Sequence, residues 1–305
     1  RNGVKLITNA RVKEVITDHN DSAKGVIFYD INGDEQLISA KIVILACNGI
    51  GTPRILLNSK SNTSNNSLAN SSGLVGKNLM LHPLGFVEGV FSEDLQSHVG
   101  PHGCCIQSQE FYETCKKRDY KRGFTMQILR APGAVELAIS GIQRRTIPWG
   151  EKHHEGFKKF MGSTIGISII CEDLPEETNQ VVLDDSLCDS NGIPAPKIFY
   201  KMGENTKKMI SYGIDRAKEV MIEAGASETF SFAPVRNTGW HLMGTTKMGL
   251  DPKKSVVNRD GMCHDVNNLY IVDSSIFPTS GGVNPTSTIQ AVALYITDNI
   301  LKKKT

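Results

Sequence analysis

An apolar run followed at once by a glycine turn constrains the fold of this chain more than any other feature. The run is Lys41-Ile42-Val43-Ile44-Leu45-Ala46, and its lack of polar alternation predicts a strand buried on both faces, as in a parallel sheet. The turn is Asn48-Gly49-Ile50-Gly51, after which Thr52 can cap a helix and Pro53 can occupy its first turn. A strand, glycine turn and helix in this order bring backbone N–H groups toward an anionic ligand.

The residues before this run predict a small antiparallel meander. Strand patterns are present at residues 5–7, 12–16, 26–29 and 36–39, and polar turns separate them. The dipeptide Asn32-Gly33 favours a tight hairpin turn before the last of these strands.

The middle of the chain predicts further strands and one long helix. Strand patterns recur at residues 164–170 and 197–200. A helix is predicted over 205–224, because apolar residues recur on one face and Gly225 can end it. The buried stripe of this helix consists of Ile210, Ile214, Ala217 and Met221.

The end of the chain returns to a strand followed by a helix. Leu269-Tyr270-Ile271-Val272 predicts a strand, and Asp273 stands at its carboxyl end, where ligands of open α/β sheets bind. The terminal helix is predicted to have Asn284 as its N-cap and Pro285 at its first position. Its expected buried face consists of Ile289, Val292, Ala293, Ile296 and Ile300.

Composition excludes several classes of protein. The 305 residues carry 34 basic and 32 acidic side chains, and a net charge of +2 does not indicate nucleic acid or anionic lipid as a partner. No apolar run approaches the roughly 20 residues of a bilayer-spanning helix, so we expect no membrane span. Seven cysteines in irregular positions predict neither a disulfide framework nor a metal site, and they favour a reducing, cytoplasmic compartment.

The most informative stretch is residues 240–249, in which His241 lies in a glycine-flanked loop. Backbone geometry, rather than helix packing, then sets the direction of this side chain. A histidine in such a loop is by itself more often structural than catalytic. The interpretation changes because Asp273 and the helix start Asn284-Pro285-Thr286 follow it in a fixed order.

These elements resemble the C-terminal half of the glucose–methanol–choline (GMC) oxidoreductases, flavoenzymes that oxidise alcohols. The motifs are His241-Leu242-Met243-Gly244-Thr245 with Met248-Gly249, Val272-Asp273-Ser274-Ser275 with Pro278-Thr279, and Asn284-Pro285-Thr286 with Thr288-Ile289-Gln290-Ala291. Near the front, residues 10–12 and 44–53 are similar to the family's adenine-side segment and its strand-to-helix turn. The resemblance covers essentially the whole chain, most strongly at its two ends.

The resemblance implies FAD as cofactor and a small-molecule alcohol as substrate, namely a sugar, a polyol or a related hydroxy compound. His241 would act as general base, because a hydride can leave an alcohol carbon productively only if the hydroxyl proton leaves as well. Asn284 would hydrogen-bond the same oxygen, and a plain N-cap is its structural alternative. The final electron acceptor stays open among oxygen, a quinone and a cytochrome.

The resemblance also implies a set of cofactor contacts. Val12 would touch the adenine through its backbone, Asp273 would contact the ribityl or pyrophosphate region or act only as a turn residue, and the helix starting at Asn284-Pro285 would stabilise reduced flavin. The pair Cys47-Asn48 is bulkier and more polar than the family's usual small pair at this turn. The expected cofactor-binding residues are Val12, Ala46, Asn48, Gly49, Asp273, Ser274, Asn284, Pro285 and Thr286.

We therefore expect an α/β protein in which an incomplete, Rossmann-like FAD-binding domain contains an inserted α+β substrate domain with an antiparallel sheet. Residues 1–60 and 231–305 would form the first domain, and 61–230 the second, with His82 structural and near the active-site cavity.

Residue 1 is Arg, and the family's GxGxxG loop is absent, so we expect a piece of a longer polypeptide. A truncated or non-catalytic flavoprotein scaffold that binds a ligand without turnover is the alternative function.

Overall fold

Strands and helices of the computed structural model form three antiparallel sheets, one parallel pair of strands and five helices within its described residues, 3–61, 67–100, 103–143, 145–235 and 239–302. The strands are β1 (Arg11–Thr17), β2 (Ala23–Tyr29), β3 (Glu35–Ser39), β4 (Val43–Leu45), β5 (Leu84–Val90), β6 (Cys104–Ser108), β7 (Phe124–Arg130), β8 (Thr164–Cys171), β9 (Gln180–Cys188), β10 (Pro194–Phe199), β11 (Glu228–Phe232) and β12 (Leu269–Ile271). The helices are α1 (Asn48–Asn58), α2 (Ala134–Gln143), α3 (His153–Phe160), α4 (Glu204–Glu223) and α5 (Thr286–Lys302). None of these helices combines the length and the apolar character needed to cross a membrane.

The front of the chain forms the expected meander. Strands β1, β2 and β3 pair in that order, all antiparallel, and Gly33 in the turn before β3 has a φ of +83°. The strand predicted at residues 5–7 is wrong, because this segment pairs with no other strand in the described part of the chain. Leu6 there is 82% exposed, so no described residue covers its apolar side chain.

Strands β4 and β12 form a parallel pair, which confirms the parallel arrangement but not the predicted burial. Val43 and Leu45 are buried, whereas Ile44 between them is 47% exposed. The expectation of burial on both faces is therefore wrong for this strand. The physical reason is that no described residue covers the side chain of Ile44, whereas Val43 and Leu45 pack in the first core and β12 is buried along its whole length.

Helix α1 begins at Asn48, earlier than the predicted cap at Thr52. Pro53 thus lies inside the helix, where its missing N–H leaves the carbonyl of Gly49 without its usual partner. The Thr245 hydroxyl donates to that carbonyl at 2.8 Å and replaces the lost bond. A side chain from the far end of the sequence therefore makes an internal proline tolerable.

A second core lies between α4 and a five-stranded antiparallel sheet. The strand order is β11-β5-β8-β7-β6, and α4 covers one face of the sheet. The predicted apolar stripe of α4 is confirmed, because Ile210, Ile214, Ala217 and Met221 are all buried. Gly225, with a φ of +95°, follows the helix as predicted.

The first core contains residues from both ends of the chain. Leu45 and Leu56 from the front pack with Leu269, Ile271 and Ile296 from the end, and all five are buried. Residues 76–82, the crossing segment, run between this core and the second one. Gly76 marks its beginning: the Gly76 N–H donates to Thr245, and the Gly76 carbonyl accepts from Val181 at 2.8 Å.

Substituting Gly76 by Ala should destabilise the protein far more than substituting Gly73. Both glycines have positive φ, so a Cβ strains either backbone by about 1 kcal/mol. A Cβ at Gly76 would in addition lie 2.2 Å from the Val181 carbonyl oxygen, whereas one at Gly73 would meet no atom within 4 Å. Urea unfolding should show a loss of about 3 kcal/mol or more for Gly76→Ala. Equal losses for the two variants would contradict the close approach.

Candidate functional site

The loop that carries His241 is held by the chain just after β12. Backbone N–H groups of Gly244, Thr246 and Met248 donate in turn to the carbonyls of residues 274, 275 and 276. The Ser274 hydroxyl donates to the Leu242 carbonyl at 2.5 Å. The loop therefore has a fixed course along one edge of the first core.

The crossing segment pairs with this same loop on its other side. Met80 and Met243 form an antiparallel bridge with two backbone hydrogen bonds of 3.0 Å, and the His82 N–H donates to the Trp240 carbonyl at 3.2 Å. This pairing brings His82 beside His241. Their Nδ1 atoms lie 2.7 Å apart, and the ring centroids are 4.7 Å apart at an interplanar angle of 70°.

Partial burial sets the protonation state of His241. Its backbone has a φ of +57°, a region that few non-glycine residues adopt and that is commonest where a site needs a particular side-chain direction. Desolvation lowers the pKa of His241 below its ordinary value of 6.5. The ring is therefore neutral at pH 7 and has one nitrogen free to accept a proton.

Strand β7 presents two buried polar side chains to the loop that precedes α5. Thr125 and Gln127 are two residues apart, so they share one face of the strand. Thr125 donates to the Gly282 carbonyl at 2.7 Å, and Gln127 Nε2 donates to Asn284 Oδ1 at 2.5 Å. Asn284 Nδ2 then lies 3.5 Å from His241 Nε2.

The start of α5 differs from the prediction by a small shift. The helix begins at Thr286, so Pro285 immediately precedes it, and the carbonyl of Pro285 accepts the Ile289 N–H at 2.9 Å. Asn284 is therefore not the N-cap that the sequence predicts. Its side-chain oxygen accepts from Gln127 instead, which leaves its amide group directed at His241.

Asp273 joins the end of β12 to the start of α1. Its Oδ2 accepts from the Asn48 N–H at 3.1 Å and from the Thr52 hydroxyl at 2.5 Å, and its Oδ1 accepts from the Ser275 N–H at 2.8 Å. The buried carboxylate thus has three donors from this chain. Gly49 follows Asn48, and a Cβ on it would lie within 2.9 Å of Leu242, so only glycine permits this close approach to the His241 loop.

The structure brings most of the residues expected from the sequence into two neighbouring groups. One group lies at the carboxyl ends of β4 and β12 and contains Ala46, Asn48, Gly49, Asp273 and Ser274. The other group contains His241, Asn284, Pro285 and Thr286. Val12 lies elsewhere, in β1, where it packs against the first core.

Two residues at this site escaped the sequence-based assignment of roles. The sequence around Gln127 gave one signal, because Thr125 and Gln127 alternate with the apolar Phe124 and Met126, as in a strand. The structure shows that the polar face of this strand is also buried. His82 was expected near the cavity as a structural residue, but its ring contact with His241 was not expected. Nothing in a single sequence indicates a contact between residues 159 positions apart.

Comparisons with known proteins identify the family. Two family models described as GMC oxidoreductase match residues 1–84 and 175–293. The chain is 40% identical over 304 residues to 2-methyl-1,2-propanediol dehydrogenase of Mycolicibacterium austroafricanum, covering 99% of the chain and 55% of that protein. It is 29% identical over 301 residues to the fructose dehydrogenase large subunit of Gluconobacter japonicus, covering 98% of the chain and 54% of that protein. The chain thus spans about half the length of these relatives.

Solved structures show the same fold at low sequence identity. Formate oxidase of Aspergillus oryzae RIB40 matches with a TM-score of 0.65 and 15% identity, covering 96% of this chain and 60% of that one. Pyridoxine 4-oxidase from Mesorbium loti matches with a TM-score of 0.64 and 13% identity, covering 95% and 57%. At these identities the comparison establishes the mixed α/β fold.

Replacing Asp273 by Asn should destabilise the protein by about 2–4 kcal/mol, because an amide nitrogen would face donors in a buried site. Asp30→Asn is the matched control: the Asp30 carboxylate also accepts two backbone N–H groups and one side-chain donor, but in an accessible turn. Its cost should stay within about 1 kcal/mol. Urea unfolding measures both losses, and similar values would show that Asp273 does not join the two elements.

Proposed function

Because this chain belongs to the GMC oxidoreductase family, we propose that it carries the catalytic site of an FAD-dependent enzyme that oxidises an alcohol. The substrate class is a sugar, a polyol or a related hydroxy compound, in keeping with the diol and fructose dehydrogenases among its relatives. His241 is the proposed general base, and Asn284 orients the reacting oxygen.

One observation carries this proposal: a neutral imidazole nitrogen and an amide donor point at the same place. His241 Nε2 and Asn284 Nδ2 are 3.5 Å apart, and Asn284 is exposed, so a hydroxyl can reach both groups. The hydroxyl can donate its proton to Nε2 while its oxygen accepts from the amide. The two contacts together fix both the distance and the direction of the O–H bond.

The residues present fit FAD at this place. The first turn of α5 contains no acidic residue, and its exposed Thr286 and Ser287 follow Asn284 after the buried Pro285. An uncompensated helix N-terminus carries a partial positive charge, which suits the electron-rich edge of a reduced isoalloxazine. Ala46 and Asn48 are also exposed at the carboxyl ends of the parallel strands, where this type of sheet holds ligands.

The same arrangement supports the proposed domains. Residues 1–60 and 231–305 would form the FAD-binding domain, a Rossmann-like unit incomplete within this chain, since both ends contribute to the first core. Residues 61–230 would form the inserted substrate domain around the antiparallel sheet, although Leu68, Leu74 and Val75 pack in the first core and β11 ends at Phe232. In this assignment Gln127 belongs to the substrate domain and reaches Asn284 across the boundary.

Alcohol oxidation removes a hydride from the carbon of the substrate and a proton from its hydroxyl group. FAD, when bound, supplies the acceptor for the hydride that leaves the carbon. His241 takes the hydroxyl proton at Nε2, so the O–H bond breaks as the C=O bond forms. Asn284 donates to the same oxygen and stabilises the charge that develops there before the proton has moved fully.

Replacing His241 by Ala should slow flavin reduction by the alcohol about 100- to 10,000-fold, which is the usual contribution of a positioned general base. Asn284→Ala should slow the same step less, because it removes an orienting donor and leaves the base. Stopped-flow mixing of the flavin-loaded protein with a panel of sugars, polyols and diols measures this step directly. Trp240→Phe is the neighbouring control, since the Trp240 side chain is 53% exposed and only its carbonyl supports the site.

Three outcomes would contradict the proposal. The first is an unchanged rate of flavin reduction in His241→Ala. The second is a flavin-loaded protein that no alcohol reduces, which would favour the non-catalytic scaffold. The third is the absence of bound flavin when the chain is expressed within a polypeptide of its relatives' full length, which would remove FAD from the account.

A further inference from the structure

We propose that His82 is a positioning residue for His241: its ring accepts the Nδ1 proton of His241 and thereby leaves Nε2 of His241 unprotonated toward the substrate hydroxyl. This inference rests on the proposed function, because it concerns how the general base is prepared. It assigns a role to a buried side chain that touches neither the substrate oxygen nor Asn284.

The separation of the two Nδ1 atoms is the first argument. At 2.7 Å, two bare nitrogens would repel each other and two N–H groups would clash, so one proton must lie between the rings. The tautomers of His82 and His241 are therefore coupled. Either His241 donates and its Nε2 is bare, or His82 donates and the Nε2 of His241 carries a proton.

Contacts on the opposite side of His241 favour the same tautomer. Gln127 donates to Asn284 Oδ1, so the NH2 group of Asn284 is the end that faces His241 Nε2. An amide N–H requires an acceptor, and Nε2 can accept only when it is bare. A bare Nε2 places the His241 proton on Nδ1, where the ring of His82 takes it.

The surroundings of His82 supply the third argument. The residue is 1% exposed, and burial, followed by the charge of His241, lowers its pKa to about 4, while the Gly281 backbone raises it. His82 is therefore neutral at pH 7 and can accept at Nδ1. Its own proton then lies on Nε2, a buried atom that has no hydrogen-bond partner among the described residues. The Gly281 backbone, which raises the pKa of this ring, is the described group that favours a proton on it.

The backbone around His82 keeps the ring in place during the reaction. The Leu81 N–H donates to the buried carboxylate of Asp173, and the Pro83 carbonyl accepts from the Cys171 N–H at 3.2 Å. Together with the hydrogen bond from the His82 N–H to the Trp240 carbonyl, these contacts fix the backbone of three consecutive residues, 81–83. When the substrate proton moves to Nε2, His241 becomes a cation, and its bond to His82 becomes charge-assisted and stronger.

The tautomers can be read directly by 15N NMR of the flavin-loaded protein labelled at histidine. We expect His241 as the Nδ1–H tautomer and His82 as the Nε2–H tautomer, with the His241 signals assigned by their loss in His241→Gln. The wild-type spectrum alone is decisive. A His241 ring protonated at Nε2 would overturn the proposal whatever the variants do.

Two substitutions of His82 separate positioning from packing. His82→Phe keeps a buried ring but removes the acceptor, so the Nδ1–H tautomer of His241 should be less populated than in the wild type. Flavin reduction should slow roughly 10- to 100-fold, the range found when the outer partner of a metal-bound imidazole is removed. His82→Asn should restore both, because its Oδ1 can stand where Nδ1 stood. His264→Phe, which removes a ring hydrogen-bonded to Ser255 instead, should change neither.

The outcomes distinguish this inference from the function on which it rests. A His241 tautomer that is the same in His82→Phe as in the wild type would overturn the positioning role, even if His241→Ala abolishes flavin reduction. Coupled tautomers in a protein whose flavin reduction does not depend on His241 would leave the contact correct and overturn the general base. If His82→Phe does not fold, the wild-type and His82→Asn spectra still decide the question.

Discussion

The backbone pairing between the crossing segment and the His241 loop is the constraint on which the rest of the site depends. Met80 and Met243 exchange two hydrogen bonds, and this short bridge carries His82 and His241 at matching positions beside it. The loop cannot move without breaking its other bonds to residues 274–276. Backbone hydrogen bonds therefore hold the His241 loop on both of its sides.

This rigidity has an electrostatic consequence. The four side chains Gln127, Asn284, His241 and His82 follow one another through close polar contacts, and all of them are uncharged when both histidines are neutral. A carboxylate in place of His82 would raise the pKa of His241 and keep it protonated at neutral pH. A neutral, buried partner orients the ring while desolvation keeps its pKa low.

Periodicity and motif order explain what the sequence could predict. The stripe of α4 and the buried Ile296 and Ile300 of α5 followed from helical spacing, and the order of three motifs selected His241 and Asn284. The exposed face of Ile44 was not predictable, because it depends on what packs against the sheet. The contact of His82 with His241 depends on pairing between segments that are distant in the sequence, and local propensity does not predict such pairing.

The central claim is that a neutral His241 accepts the alcohol proton, and the pH dependence of flavin reduction tests it most directly. Protonation of His241 removes the base, so the rate should fall as the pH drops through the pKa of this ring. Because burial lowers that pKa below 6.5 in the ligand-free protein, the rate at limiting alcohol should stay constant from about pH 9 down past 6.5 and then fall about tenfold per pH unit. A midpoint at or above the ordinary value of about 6.5, or a rate that rises as the pH falls through this range, would contradict the account.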